Sequence, residues 1–314
     1  MQVSCLFLVS LAGCITVSAS TLYNVVPFSV CADCSAESFG INNNGLATGS
    51  AGNAGFLYNG GTAQVVTLPG APEEGGFAKP SDNGRVPVYA SAADGITHSF
   101  VYETNGSFTP LPNYPGGLAT YAMQLGTGNS FVGFYSTNLI NYQGFLYSGG
   151  VFQSIADPNR PDGTTFILGL NAAGTLVGFS EDSQRQNTRG VLRRADGVVE
   201  PFNVPGALES APQAIDDFGN IVGTYRDVTG WHGFIYDGSN FQTLDGPGTA
   251  TIITGINNQG TLLGYMSTVS PDEGTFSPFL ATPVPEPTTA VASAFALLLL
   301  MIGAGPRRRH RIER

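Results

Sequence analysis

Ile256-Asn257-Asn258-Gln259-Gly260, with Gly264 four residues beyond, is one copy of a frame that recurs along the chain. It returns as Ile41-Asn42-Asn43-Asn44-Gly45 with Gly49, as Leu170-Asn171-Ala172-Ala173-Gly174 with Gly178, and as Ile215-Asp216-Asp217-Phe218-Gly219 with Gly223. Two weaker copies lie between the first of these and the next: Pro80-Ser81-Asp82-Asn83-Gly84 with Val88, and Leu125-Gly126-Thr127-Gly128-Asn129 with Gly133. The second anchors stand at 49, 88, 133, 178, 223 and 264, at spacings of 39 to 45 residues. Repeats of that length built from short strands have the period of a propeller blade.

Each copy reads as four strands. The Ile-Asn strand turns through an Asx-rich loop ending in Gly and returns as a strand such as Leu176-Val177-Gly178-Phe179. A third strand follows, as in Gly55-Phe56-Leu57-Tyr58, Gly144-Phe145-Leu146-Tyr147 or Gly233-Phe234-Ile235-Tyr236. Gly60-Gly61, Gly149-Gly150 or Asp237-Gly238 then turns the chain into a fourth. The sixth copy lacks its fourth strand, and Leu22-Tyr23-Asn24-Val25-Val26-Pro27-Phe28 stands unused before the first copy. The expected fold is therefore all-β, a six-bladed β-propeller closed by the N-terminal strand, which removes the open edge of a linear array. An open sandwich or a β-solenoid is the alternative.

Composition agrees. The 314 residues include 42 Gly and 20 Pro but only 11% charged residues, with 42% hydrophobic, enough for a sizeable core and unlike a disordered chain, a coiled coil or collagen. A formal net charge of −10 argues against nucleic acid as a partner.

The two ends read as addresses. Residues 1–19 carry an apolar stretch from Val3 to Val17 and the small-x-small pattern Val17-Ser18-Ala19, the features of a signal peptide cut before Ser20. Leu11-Ala12-Gly13-Cys14 resembles a bacterial lipobox, and in that alternative Cys14 would carry lipid. At the other end come Val284-Pro285-Glu286-Pro287, an uncharged run over 288–304, and Arg307, Arg308, Arg309 and Arg311. Such a run is long enough for a single transmembrane helix across a thin bilayer, with the arginines held on the cytoplasmic side. The tail holds five of the 13 basic residues and two of the 23 acidic ones, so the body between Ser20 and Val284 is at −13, with Lys79 the chain's single lysine.

This three-part tail resembles the PEP-CTERM sorting signal. The resemblance implies recognition by an exosortase, a membrane peptidase, and passage of the body to the cell surface or exopolysaccharide matrix. The body resembles extracellular repeats of the HAF family, whose His-Ala-Phe-like triplet follows the Asn-Gly frame. Here the triplet reads His98-Ser99-Phe100 and His232-Gly233-Phe234, and departs to Ala54-Gly55-Phe56, Gln143-Gly144-Phe145, Arg189-Gly190-Val191 and Ser277-Pro278-Phe279. That likeness implies an extracellular repeat protein and no particular reaction. The organisation expected is a leader (1–19), one six-repeat body (20–282) and a sorting tail (283–314).

Candidate chemistry is sparse. His98 and His232 hold equivalent repeat positions three copies apart, which favours structural roles over a metal pair or a general base, while Trp231 beside His232 marks a candidate ligand contact. Cys31 and Cys34 read as a local disulfide in an exported chain, with a redox or half-zinc site as the alternative. Asx-Gly turns such as Asp216-Asp217-Phe218-Gly219 are what hairpins require and lack the ligand spacing of a calcium loop. No Gly-x-Ser-x-Gly elbow, P-loop or His-Glu-x-x-His occurs. The sequence thus points to an exported non-catalytic module, without catalytic, cofactor or metal residues, that acts structurally or binds exopolysaccharide or surface proteins. The alternative is an extracellular glycan hydrolase or lyase working at the channel.

Overall fold

The computed structural model describes residues 21–31, 35–70, 75–91, 95–246, 248–270 and 275–284. Among them every regular element is a strand, as the repeat analysis expects. The leader, Cys34, Pro285, Glu286, Pro287, the run 288–304 and the terminal arginines lie outside the described residues. No helix of the described residues is long and apolar enough to cross a membrane.

The first strand, β1 (Tyr23–Pro27), precedes six units. Unit one holds β2 (Ala36–Ile41), β3 (Ala47–Ala51), β4 (Ala54–Tyr58) and β5 (Ala63–Thr67). Unit two holds β6 (Gly75–Phe77), β7 (Val86–Ser91), β8 (Thr97–Tyr102) and β9 (Phe108–Pro110). In unit three are β10 (Ala119–Leu125), β11 (Phe131–Ser136), β12 (Gln143–Ser148) and β13 (Val151–Ile155). Unit four comprises β14 (Thr164–Leu170), β15 (Leu176–Glu181), β16 (Arg189–Arg193) and β17 (Val199–Phe202). Unit five comprises β18 (Glu209–Ile215), β19 (Ile221–Arg226), β20 (Trp231–Tyr236) and β21 (Phe241–Leu244). Unit six supplies β22 (Ala250–Ile256), β23 (Leu262–Ser267) and β24 (Phe276–Pro283), and its fourth strand is β1. The β1–β24 ladder is antiparallel, from Tyr23 opposite Pro283 to Pro27 opposite Phe279.

Neighbouring strands within each unit pair antiparallel, and the turn frame joins the first strand to the second. In five units the first strand carries a register shift two residues before the Ile-Asn corner, for example between Ile167 and Gly169. Such a bulge bends and twists one strand relative to its partner. It also explains the second anchor glycine, because a Cβ at Gly49, Gly133, Gly178, Gly223 or Gly264 would strike a carbonyl oxygen of the bulged strand. In unit two β6 is short, the Phe77–Val88 pairing shows no shift, and Val88 stands in place of glycine.

The core runs between units rather than through one centre. The Phe of the third-strand triplet is buried at Phe56, Phe145, Phe234 and Phe279, and removing such a ring typically costs about 3–5 kcal/mol. The glycine in the middle of the triplet faces the next unit: a Cβ at Gly55, Gly144 or Gly233 would overlap Phe77, Ile167 or Ile253, and one at Gly190 would strike the Phe202 carbonyl of its own unit as well as Pro212 of the next. In unit two Ser99 takes this place, its hydroxyl donating to the Thr120 carbonyl (2.7 Å) and accepting from the Ala122 amide (2.8 Å). The triplet is a docking surface between sheets, with the ring in one unit's core and the bare backbone receiving its neighbour.

Candidate functional site

The six frame turns gather at one end of the strands. Asn42 shows why the residue after Ile is so often Asn. Its Oδ1 accepts from the amides of Asn44 (3.0 Å) and Leu46 (2.9 Å), holding its own turn, while its Nδ2 donates to the Ser81 carbonyl of the next unit (2.8 Å). Asn257 repeats the pattern, capping Gln259 and Thr261 and donating to the Asn42 carbonyl (3.1 Å). Asn171 caps Thr175 and donates to the Asp216 carbonyl (3.3 Å). Asp216 has no amide to donate, and its carboxylate accepts only within its own turn, from Phe218 and Asn220.

The following residue builds a second tier. The Asn43 amide donates to Asp82 (2.8 Å), Ala172 to Asp217 (2.7 Å), Asp217 to Asn258 (3.1 Å) and Asn258 back to Asn43 (2.7 Å). At the two weak copies other groups take over. The Lys79 amide donates to the Met123 carbonyl (3.0 Å), and the Gln124 side chain bonds the Leu170 carbonyl (2.6 Å) and amide (2.9 Å). Each unit is thus bonded to the next, and the sixth to the first.

This collar encloses a cavity of about 420 Å³ lined by all six units, within the range of small-molecule sites. Amides and hydroxyls of Asn42, Asn43, Gln124, Ser130, Asn171, Asn257 and Asn258 share its wall with apolar residues such as Ile41, Leu170, Ile215 and Ile256. Three carboxylates, Asp82, Asp216 and Asp217, and one cation, Lys79, also face it. The Asn258 amide and the Ala172 N–H hold Asp217 below the usual carboxylate range. Burial pushes the Lys79 amine down to about 8, against the opposing pull of Asp217, Asp216 and Asp82. No group of three or more His, Cys, Asp or Glu among the described residues is arranged to hold a metal ion.

Trp231 and His232 lie elsewhere. Strand β19 leaves the collar at Ile221 and reaches Arg226 at the opposite end, where β20 begins with these two residues. The Trp231 face is covered by the Arg226 guanidinium, 5.6 Å from the ring centre, and Arg226 is held by a two-pronged pairing with Glu209. His232 Nδ1 lies 3.0 Å from both Asp245 oxygens, and Nε2 lies 2.9 Å from the Thr229 hydroxyl.

That row has the outline of a hydroxyl, imidazole and carboxylate relay. Asp227 disarms it: its Oδ1 takes the Thr229 hydroxyl (2.6 Å) and the amides of Thr229 (2.7 Å) and Gly230 (3.2 Å), donors that an oxyanion would need. Hydrogen bonds from the Thr229 hydroxyl and amide hold the Asp227 carboxyl down to about 2. His98, its repeat equivalent, bonds Asn113 through Nδ1 (2.8 Å), far along the chain from this cluster. Cys31 is disulfide-bonded, and Cys34 lies outside the described residues.

The structure therefore assembles a site whose members sequence reasoning took for hairpin turns. The signal was present in the frame, since Asn recurs where Asp would cap a turn equally well but has no N–H to donate.

No family model matches the sequence, and no curated protein does. Among solved structures, the SapL1 lectin in complex with alpha methyl fucoside is similar at a TM-score of 0.50 and 12% identity, over 83% of this chain and 98% of that one. A luciferin-regenerating enzyme is similar at 0.51 and 9% identity, over 83% and 96%. A mutant of the Aleuria aurantia lectin in complex with alpha-methyl-L-fucoside follows at 0.46 and 13%, over 84% and 99%. The first two likenesses establish an all-β, propeller-like fold and nothing about chemistry.

Proposed function

We propose that this chain is an exported, non-catalytic carbohydrate-binding module: a six-bladed propeller closed by its N-terminal strand, with a glycan site in the collar cavity. The observation that carries the reading is the cavity wall, where amide and hydroxyl side chains from five units, Asn42, Ser81, Gln124, Asn171 and Asn257 among them, converge with donors and acceptors suited to sugar hydroxyls. Phe218, 74% exposed, offers a flat apolar face in the turn that carries the lining residue Asp217. The lectin neighbour bound to a fucoside adds support at the level of fold.

Three carboxylates in a channel are also the reason to consider a glycan hydrolase or lyase. Their hydrogen bonds weigh against it. Asp82 accepts from the Asn43 amide and side chain, Asp217 from Ala172 and Asn258, and Asp216 from its own turn, so each serves the collar. A general acid needs a carboxyl raised toward neutrality, the opposite of what Asn258 does to Asp217.

For delivery, the proposal follows the two ends. The leader 1–19 would export the chain, and the PEP-CTERM-like tail would present Val284-Pro285-Glu286-Pro287 to an exosortase, leaving the HAF-like body at the surface or in the exopolysaccharide matrix. A glycan array probed with the protein tests the binding, with Asn258→Leu and Phe218→Ala as companions. Retention of neutral glycans that both substitutions weaken supports the reading, and cleavage products or a blank array overturn it. Sorting is tested by expression with and without the cognate exosortase: unchanged mass and location would reduce the tail to an anchor.

A further inference from the structure

Lys79 is the chain's single lysine, and its position is unusual on three counts. Its stem crosses from unit two onto unit one at a glycine: a Cβ at Gly40 would lie 2.5–2.8 Å from Lys79 Cα, Cβ and Cγ, so the space exists only because residue 40 has no side chain. Its residue lines the collar cavity, and its ammonium makes no hydrogen bond or ion pair within the described residues. The three nearby carboxylates are already engaged by Asn43, Ala172, Asn258, Phe218 and Asn220. A partly buried primary amine, unpaired, facing a cavity of about 420 Å³, has the setting of a carbonyl-reactive lysine.

We propose that Lys79 is a covalent capture site for small neutral hydroxyaldehydes, the open-chain form of short aldoses. The unprotonated amine adds to the aldehyde carbon, the resulting carbinolamine loses water, and a lysine imine remains; hydrolysis reverses the step and no oxidant or reductant takes part. The lowered pKa of about 8 supports this, because the free-amine fraction at neutral pH is then on the order of a hundredfold above that of an ordinary lysine. Class selectivity comes from the wall. Asn42, Asn171 and Asn257 each spend one Nδ2 N–H on the collar and keep a second for a ligand hydroxyl, whereas Asp82, Asp216 and Asp217 repel a carbonyl compound that carries its own carboxylate. The inference shares the cavity with the glycan reading without resting on it, since a glycan can bind by hydrogen bonds alone.

The test is reductive trapping on the full-length protein at pH 7, with glycolaldehyde and cyanoborohydride, read by intact mass and peptide mapping. The comparison is Gln64→Lys, which adds an ordinary exposed lysine on β5. The expected result is adduct formation at Lys79 roughly tenfold or more faster than at the introduced lysine, abolished in Lys79→Arg, and slower with glyoxylate than with glycolaldehyde. Equal rates at the two lysines overturn the capture site, and equal rates with glyoxylate overturn the assigned ligand class. A blank glycan array with rapid trapping would sink the glycan reading alone, and the reverse pattern would sink the imine alone.

Discussion

Asn42 donates its side-chain amide to the carbonyl of Ser81 at 2.8 Å, across the boundary between two units, while its oxygen caps its own turn. Asn42→Asp keeps the cap and removes the donor, so unfolding in urea should show a loss of about 1 kcal/mol. Asn42→Ala removes both functions and leaves buried groups unsatisfied, with an expected loss of about 2–3 kcal/mol. At Asn171, whose inter-unit bond is longer at 3.3 Å, the Asp substitution should do less harm. Equal effects of Asp and Ala at position 42 would show that the donor contributes nothing.

The anchor position offers a reciprocal experiment. Gly133→Ala sets a methyl against the Tyr121 carbonyl across a bulge and should destabilise by about 1–3 kcal/mol. Val88→Gly, which moves unit two toward the repeat consensus, should also destabilise, because no bulge calls for glycine there and a fully buried side chain is lost. Thermal melts of both variants decide it; a stabilised Val88→Gly would mean that the consensus residue fits unit two after all.

How far the sequence could be read follows from these residues. Period and strand count were legible because Ile-Asn-x-x-Gly and the following Gly recur as local chemistry. The use of residues 22–28 in the last unit was legible because a strand was missing at one end and spare at the other. Inter-unit function was not. Asn42 looks the same as a turn cap whether or not a second unit stands beside it, and Gly133 looks like a turn glycine although it serves a close approach. Lys79 gave no signal beyond being alone, since its surroundings come from Gly40, Asp82, Asp216 and Asp217, spread across three units.

Strand β1 can be tested by a single substitution. Val26 sits in mid-strand opposite Leu280, in the hydrogen-bonded phase set by the Phe28 N–H to Pro278 carbonyl bond and the Val284 N–H to Leu22 carbonyl bond, so Val26→Pro removes a backbone donor from the ladder that covers β24. The variant should melt lower and associate with rising concentration in sedimentation, because an uncovered β24 is an open pairing edge. Val26→Thr, at the same exposed position, keeps the donor and should behave as wild type.

Lys79 predicts a pH dependence of stability with the same sign as that of a paired carboxylate, but in an alkaline window and from a burial penalty instead of a favourable pairing. Burial lowers its folded pKa from 10.5 to about 8, so between those values the unfolded chain binds more protons than the folded one. Stability contributed through this group therefore rises with pH across that window, and the penalty for burying the ammonium is fully present below it. Its size is at most about 3 kcal/mol. Lys79→Met keeps the stem against Gly40 and removes the charge, so it should melt higher than wild type at pH 7, with the gap closing as pH approaches 10. Melts of the two proteins side by side cancel the common titration of the tyrosines. A Met variant less stable at pH 7 would mean that Asp82, Asp216 and Asp217 more than offset desolvation, and that the ammonium is a structural keystone of the collar instead of a strained, reactive amine.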